Sequence, residues 1–430
     1  MPGRASLMFD VQPGRNVAGN WEAAYGSLAR RLPAIARSAP LTLCGMSACV
    51  DARIELSAAP ALWNADTGEA GAFAAMLRDR VRRGVGGEVR VEWPDGPAWL
   101  AAHVPARYAL GGVGPQAGWV LTTLGAPALV NLADRSAHML ACLPPGLLLA
   151  EGERTVRARS VQPRGERRPD IYIFEYTAGR PVGDLVPNRS SRIIVRFGDP
   201  GLERDAAFDG LTPHLAPEAG AGLVAGFNGV SAGELDGELD RVFRLTHGWL
   251  EAGLPGVHLE MSTFEDAGPR DRVLEAARGA VTSVGMSHSE MRDLAPGTPD
   301  ADLPAAMRAL GERLRLRRVC VHADHWALTL TRDDPAVERE ALMAGCLVAS
   351  ARSLAGRPVE PNGVPEGAAF LPCPVPDARL AGGWSSVAVP SPYLASPATT
   401  LGLGDTFTAG CLLILGSAGV SERQRMRSRA

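Results

Sequence analysis

The sequence predicts an α/β protein: a mostly parallel sheet with helices on both faces, carrying a smaller β-rich lid. Three observations point there. From about residue 221 onward, short apolar runs alternate with amphipathic helical stretches, the rhythm of a parallel sheet covered on both sides. Two patches, 88–104 and 170–200, instead alternate apolar and polar residues as half-exposed strands do. Hydrophobic residues make up 46% of 430 positions, enough for a sizeable core.

In chain order, residues 15–38 read as an amphipathic helix, with Trp21, Tyr25, Leu28 and Leu32 at helical spacing. "APLTLCGMSACVD" reads as one buried strand ending on Asp51. A polar helix follows at 71–84, then the alternating stretch 88–104. "GGVGPQAGWVLTTLGAPALVNL" predicts a glycine turn, a small-residue helix and a buried strand, and 170–200 an antiparallel pair. Beyond 221, helices are expected near 233–253, 269–279 and 303–316, and again over "PAVEREALMAGCLVASARSLAG". The resulting division assigns 1–51, 109–164 and 216–430 to the large domain, and 52–108 and 165–215 to the lid. No internal repeat is visible. The basic tail 421–430 is expected to be solvated.

Composition excludes several functions. Net charge is −3, which argues against a general nucleic-acid binder. All positive charge is arginine; without a lysine, neither a Walker A loop nor a Schiff-base enzyme is possible. The seven cysteines include no C-x-x-C pair, as expected of buried thiols in a reducing compartment. The first 15 residues lack an apolar signal core, and no membrane span is expected, so the reading is cytoplasmic.

The richest motif is "SPATTLGLGDTFTAGCLLILG", Ser396 to Gly416. Glycines before a helix let backbone N–H groups converge on an anion, and the helix dipole favours negative charge there. A carboxylate beside such a cradle would repel phosphate. Asp405 is useful there as acceptor of a proton from an attacking hydroxyl, although an aspartate at a helix start also serves as a cap. Glu260 in "VHLEMS" and Glu290 in "VGMSHSE" follow predicted strand ends, where ligand crevices of open α/β sheets lie. Two such acids can hold Mg²⁺ beside phosphates; each alone is more often a solvated loop acid. Asp51 and the loop Gly111 to Gly118, with Gln116, suit a polyol, since carboxylates accept from hydroxyls and bare backbone permits close approach. His322 and His325 have metal-like spacing but no third cluster, and His258 sits among apolar neighbours as core histidines do.

In their order along the chain these pieces resemble the ADP-dependent sugar kinases, the glucokinase and phosphofructokinase family with a ribokinase-like fold, over roughly residues 40 to 416. The resemblance implies a β-phosphoryl transfer from ADP to a sugar or sugar phosphate hydroxyl, with release of AMP and closure of the lid over the sugar. It implies Asp405 as general base, with Gly402, Leu403, Gly404 and Thr406 around the donor phosphate. Glu260 and Glu290 would serve Mg²⁺. Asp51, Gly112, Gly114, Gln116 and Asn228 would meet the acceptor. A monomer or small homo-oligomer is expected.

Two departures stand out: Ser287 replaces the asparagine of an Asn-x-x-Glu motif, and Cys49 stands where an asparagine precedes the sugar aspartate. Arg189, Arg192 and Arg196 of the lid are candidates for a phosphate already on the substrate, or simply solvated. Three rivals remain: an ATP-dependent ribokinase-like kinase of a nucleoside or other polyol, a silent sugar- or nucleotide-binding regulator, and, most weakly, a zinc hydrolase using His322 and His325.

Overall fold

The computed structural model describes residues 17–198 and 201–427. The predicted signal-free N-terminus, up to residue 16, and the last three residues of the tail lie outside them. Among the described residues, eighteen strands form in chain order. They are β1 (Thr42–Cys44), β2 (Cys49–Glu55), β3 (Gly87–Arg90), β4 (Arg107–Gly111), β5 (Ala128–Val130) and β6 (Leu148–Glu151). Then come β7 (Arg154–Arg157), β8 (Ile171–Tyr176), β9 (Ser191–Arg196), β10 (Ala221–Ala225), β11 (Val257–Glu260) and β12 (Ser283–Ser287). The last six are β13 (Arg318–His322), β14 (Trp326–Thr331), β15 (Ala369–Phe370), β16 (Ala378–Arg379), β17 (Ser385–Pro390) and β18 (Pro392–Tyr393).

Eleven of them make one sheet in the order β16-β17-β14-β13-β12-β11-β10-β1-β5-β6-β7. Its centre, from β13 to β6, is parallel; β14, β16, β17 and β7 run antiparallel at its margins. The two-residue period of a strand sends alternate side chains to opposite faces. Leu43, Leu129, Val224 and Val319 join one core cluster with helices such as Leu235–Glu251 and Leu303–Arg313. Their neighbours Cys44, Val130, Leu223 and Cys320 join another with Val17–Arg37, Val113–Leu124 and Pro335–Ala355. Tyr25, Leu28 and Leu32 are buried in that second layer, as the helical spacing requires.

A second sheet, β3-β9-β8-β2-β4, has its own core. Ala52, Ile54, Phe174, Tyr176, Ile193 and Val195 face Phe73, Leu77 and Val81 of helix Gly68–Arg83. The alternate positions Asp51, Arg53, Glu175, Arg192 and Arg196 therefore lie on the opposite face of this sheet.

Two readings need correction. The stretch to Asp51 is not one strand: β1 belongs to the large sheet and β2 to the small one, so Asp51 lies inside β2 rather than at a strand end. The alternation over 88–104 continues as strand only to Arg90; Gly96–His103 is a helix, with Pro97 suited to its first turn. Residues 318–331 form the antiparallel pair β13 and β14. One segment, Leu403–Val420, is long and apolar enough by length and composition to cross a bilayer, yet it is a core helix packed on Pro335–Ala355.

Candidate active site

Helix Leu403–Arg427 begins on a turn at Gly402, whose φ of 68° suits glycine. The amides of Leu403, Gly404 and Asp405 fall in the first turn, where no intrahelical acceptor exists. Thr406 N–H bonds back to Gly402 O at 3.0 Å, and Thr406 Oγ1 donates to the same oxygen at 2.7 Å. Asp405 is the third residue of the helix, past the capping position, so the cap reading fails. No donor among the described residues reaches its half-buried carboxylate. Burial pushes this carboxyl up to about 6; Arg352 opposes that, Glu260 adds to it, and His322 and Arg192 oppose it.

Glu260 ends β11 and is 6% exposed. Its Oε2 accepts from His258 Nε2 at 2.8 Å and from Thr408 Oγ1 at 3.0 Å; its Oε1 faces His322 Nε2 at 3.2 Å. Burial alone would raise this carboxyl, but the bonds from His258 and His322 outweigh it and hold it at about 2. Gly285, opposite Glu260 on β12, makes the arrangement possible: a Cβ there would stand 2.5 Å from Glu260 Oε2 and from His258 Nε2. His258 is a satisfied core histidine, its Nδ1 meeting Ser283 Oγ at 2.8 Å. Burial lowers its pKa. His322 is lowered by burial too, but the Glu260 bond and the charges of Glu260, Glu290 and Asp405 raise it overall. His322 is thus placed against Glu260, and no group of three or more potential metal ligands occurs among the described residues.

Glu290 has a structural task. With Ser287 it forms a capping box on helix His288–Leu294: its Oε2 accepts from Ser287 N at 2.7 Å, and Ser287 Oγ accepts from Glu290 N at 3.3 Å. Its Oε1 meets only Thr263 Oγ1, at 3.4 Å. A shallow, solvent-open depression lies beside it, lined by Met261 to Phe264, Arg270, Asp293 and Leu294.

Asp51, 6% exposed, comes from the small sheet. Cys49 Sγ donates to its Oδ1 at 3.5 Å, so the cysteine substitution leaves the carboxylate a weak donor. Burial pushes Asp51 up to about 7; the Cys49 bond lowers it, nearby Asp405 raises it, and Arg53 and Arg196 lower it. Gly111 lacks a side chain where a Cβ would run into Asp51 and Cys49. At Gly112, φ is 85° and a Cβ would meet the Ser47 carbonyl at 2.5 Å. Gly114 packs on the backbone of Cys44 and Gly45.

Gln116 is 4% exposed, and both ends of its amide are engaged inside the protein, with Leu110 O and Arg352. It supports the loop rather than offering a free amide. Asn228 sits past the end of β10, its carbonyl accepting from Arg90 at 2.7 Å. Of the lid arginines, Arg189 is exposed, Arg196 pairs with Glu88, and Arg192 Nη1 reaches Thr400 Oγ1 at 2.8 Å. That last bond joins the small sheet to the loop before Gly402. Sequence reasoning passed over Arg352 and Thr408; a lone arginine amid the small and apolar residues of 341–355 was the available signal for the first.

The chain matches the model of the ADP-specific phosphofructokinase/glucokinase conserved region over residues 69–370. A search of curated proteins finds no match. Among solved structures, an ADP-dependent kinase in complex with fructose-6-phosphate and ADPβS is similar at TM-score 0.73 and 16% identity, covering 93% of this chain and 98% of that one. A hypothetical ADP-dependent phosphofructokinase from Pyrococcus horikoshii OT3 gives 0.70 and 18%, with 90% and 99% covered. The last common ancestor of ADP-dependent phosphofructokinases from Methanosarcinales gives 0.69 and 15%, with 93% and 98% covered. With 302 of 430 residues inside the family's conserved region, the chain belongs to the ADP-specific phosphofructokinase/glucokinase family and is an ADP-dependent sugar kinase.

Proposed function

We propose that the cleft between the two sheets transfers the β-phosphoryl group of ADP to a hydroxyl of a sugar or sugar phosphate, with Asp405 as general base. One observation carries the reading. Asp405 has no hydrogen-bond donor among the described residues and stands in the first turn of a helix, in the same electrostatic neighbourhood as Glu260 of the large sheet and Asp51 of the small one. The free amides of the turn suit the donor's terminal phosphate. Asp51 and the bare loop from Gly111 to Gly114 suit the acceptor hydroxyls. Asp405 takes the proton of the attacking hydroxyl as the bond to phosphorus forms.

The small sheet is read as a lid, and the Arg192 bond to Thr400 supports its closing over the transfer turn. Closure keeps water from competing for the phosphoryl group.

Magnesium belongs to the same proposal. Among the described residues, one oxygen of Glu260 faces only His322, and one oxygen of Glu290 has a single long contact. Two hard oxygen donors fit a Mg²⁺ that shares its shell with water and nucleotide phosphate. When bound it would neutralise charge on those phosphates. A cytoplasmic location is part of the proposal, supported by seven free cysteines.

The test is a panel of sugars and sugar phosphates, glucose and fructose 6-phosphate included, assayed with ADP and with ATP. Turnover with ADP and release of AMP is expected. Transfer from ATP alone would point to the wider kinase group, and sugar binding without transfer from either donor to a regulator.

A further inference from the structure

Arg352 lies in helix Pro335–Ala355 and is only 4% exposed. Burying a guanidinium is costly unless its N–H groups are matched, and this one is incompletely matched: Nε is buried without a partner. Nη1 alone does two jobs, donating to Gln116 Oε1 at 2.9 Å and to Thr406 Oγ1 at 2.9 Å. Thr406 Oγ1 passes the link to Gly402 O, and Gln116 Nε2 passes it to Leu110 O at the end of β4. A continuous chain, Leu110–Gln116–Arg352–Thr406–Gly402, thus joins the small sheet's strand to the turn that bears Asp405. The guanidinium also packs on the turn itself: a Cβ on Gly402 would stand 2.5 Å from Nη2.

We propose that Arg352 is a positioning residue for phosphoryl transfer, locking the Gly402–Thr406 turn to the acceptor-side helix Val113–Leu124 so that the Asp405 carboxylate and the turn amides face one reaction space. This rests on the reading of Asp405 as base. Stability alone does not account for the arginine, since an apolar side chain would fill the site without an unpartnered Nε–H. Lysine is not equivalent, because a single ammonium cannot bond Gln116 and Thr406 through one nitrogen, as Nη1 does, while a second packs on Gly402, as Nη2 does.

The experiment measures kcat and KM for ADP with fructose 6-phosphate or glucose, whichever supports turnover, in Arg352→Ala, Arg352→Lys and Thr406→Val. A small misplacement of reacting groups costs about 10²-fold in rate, so kcat is expected to fall about 10²-fold in Arg352→Ala. Both KM values should stay within about threefold, because Arg352 is not placed against substrate. Millimolar guanidinium should restore part of kcat in Arg352→Ala; equal sodium chloride should not, and Thr406→Val should not respond. Wild-type kcat, a loss confined to KM, or a loss that guanidinium leaves untouched overturns the proposal. Should Arg352→Ala not fold, Arg352→Lys decides: a drop in kcat supports the proposal and an unchanged kcat overturns it. Asp405→Asn run alongside separates the two readings, since normal turnover there removes the base assignment whatever Arg352 does.

Discussion

Asp405 and Glu260 are neighbouring carboxylates, yet their surroundings drive their acidities apart. Asp405 has no donor among the described residues, so burial dominates and lifts it to about 6; Glu260 has three donors and is held at about 2. A base must be ionised to accept a proton, so kcat/KM is predicted to be flat above neutrality and to fall as pH drops through about 6. A profile with no break between pH 5 and 7 contradicts the assignment. Glu260 makes a separate prediction about stability. Its folded value lies below the ordinary 4.5, so its contribution is full above 4.5 and lost as pH falls from there toward 2. Chemical unfolding of Glu260→Gln should show a weaker loss of stability across that window than wild type; identical slopes would rule the contribution out.

At the scale of elements, glycines set the distances. Gly285 lets β12 run beside Glu260 and His258 without a side chain between them. Gly285→Ala is predicted to displace Glu260 and raise the Mg²⁺ concentration needed for half-maximal turnover, with the midpoint read from a magnesium titration; an unchanged midpoint refutes it. Most elements were legible because their signal is local: the period-3.6 spacing of Tyr25, Leu28 and Leu32, or the alternation in β8 and β9. The break between β1 and β2 was not, because seven apolar or small residues read alike whether they join one sheet or two. Gly96–His103 was missed because Trp99 and Leu100 serve a helix face as readily as a strand. At the site, Glu260 and Asp405 stand in the strand-end and glycine-turn contexts that drew attention to them, whereas Asp51, read as a strand end, lies inside β2. The capping role of Glu290 and the bridging by Arg352 depend on long-range partners, which spacing does not encode.

For the whole molecule, the central point of the proposal is that its acceptor-side and donor-side groups come from different sheets. Asp51 is carried by β2 of the small sheet, Glu260 by β11 of the large one, and Asp405 by the helix packed beneath the latter. Arg192 to Thr400 ties the two bodies at the turn. Arg192→Ala is predicted to speed amide hydrogen exchange in the loop 396–402, where wild-type protection would show that the link is dispensable. The measurement that bears most directly on the central claim is a single-turnover transfer from ADP in Asp405→Asn, with ADP affinity determined on the same protein. Loss of a general base costs roughly 10² to 10⁴ in rate, so transfer should slow by that factor while ADP binds within about threefold of wild type. Transfer at the wild-type rate in that variant would contradict the account.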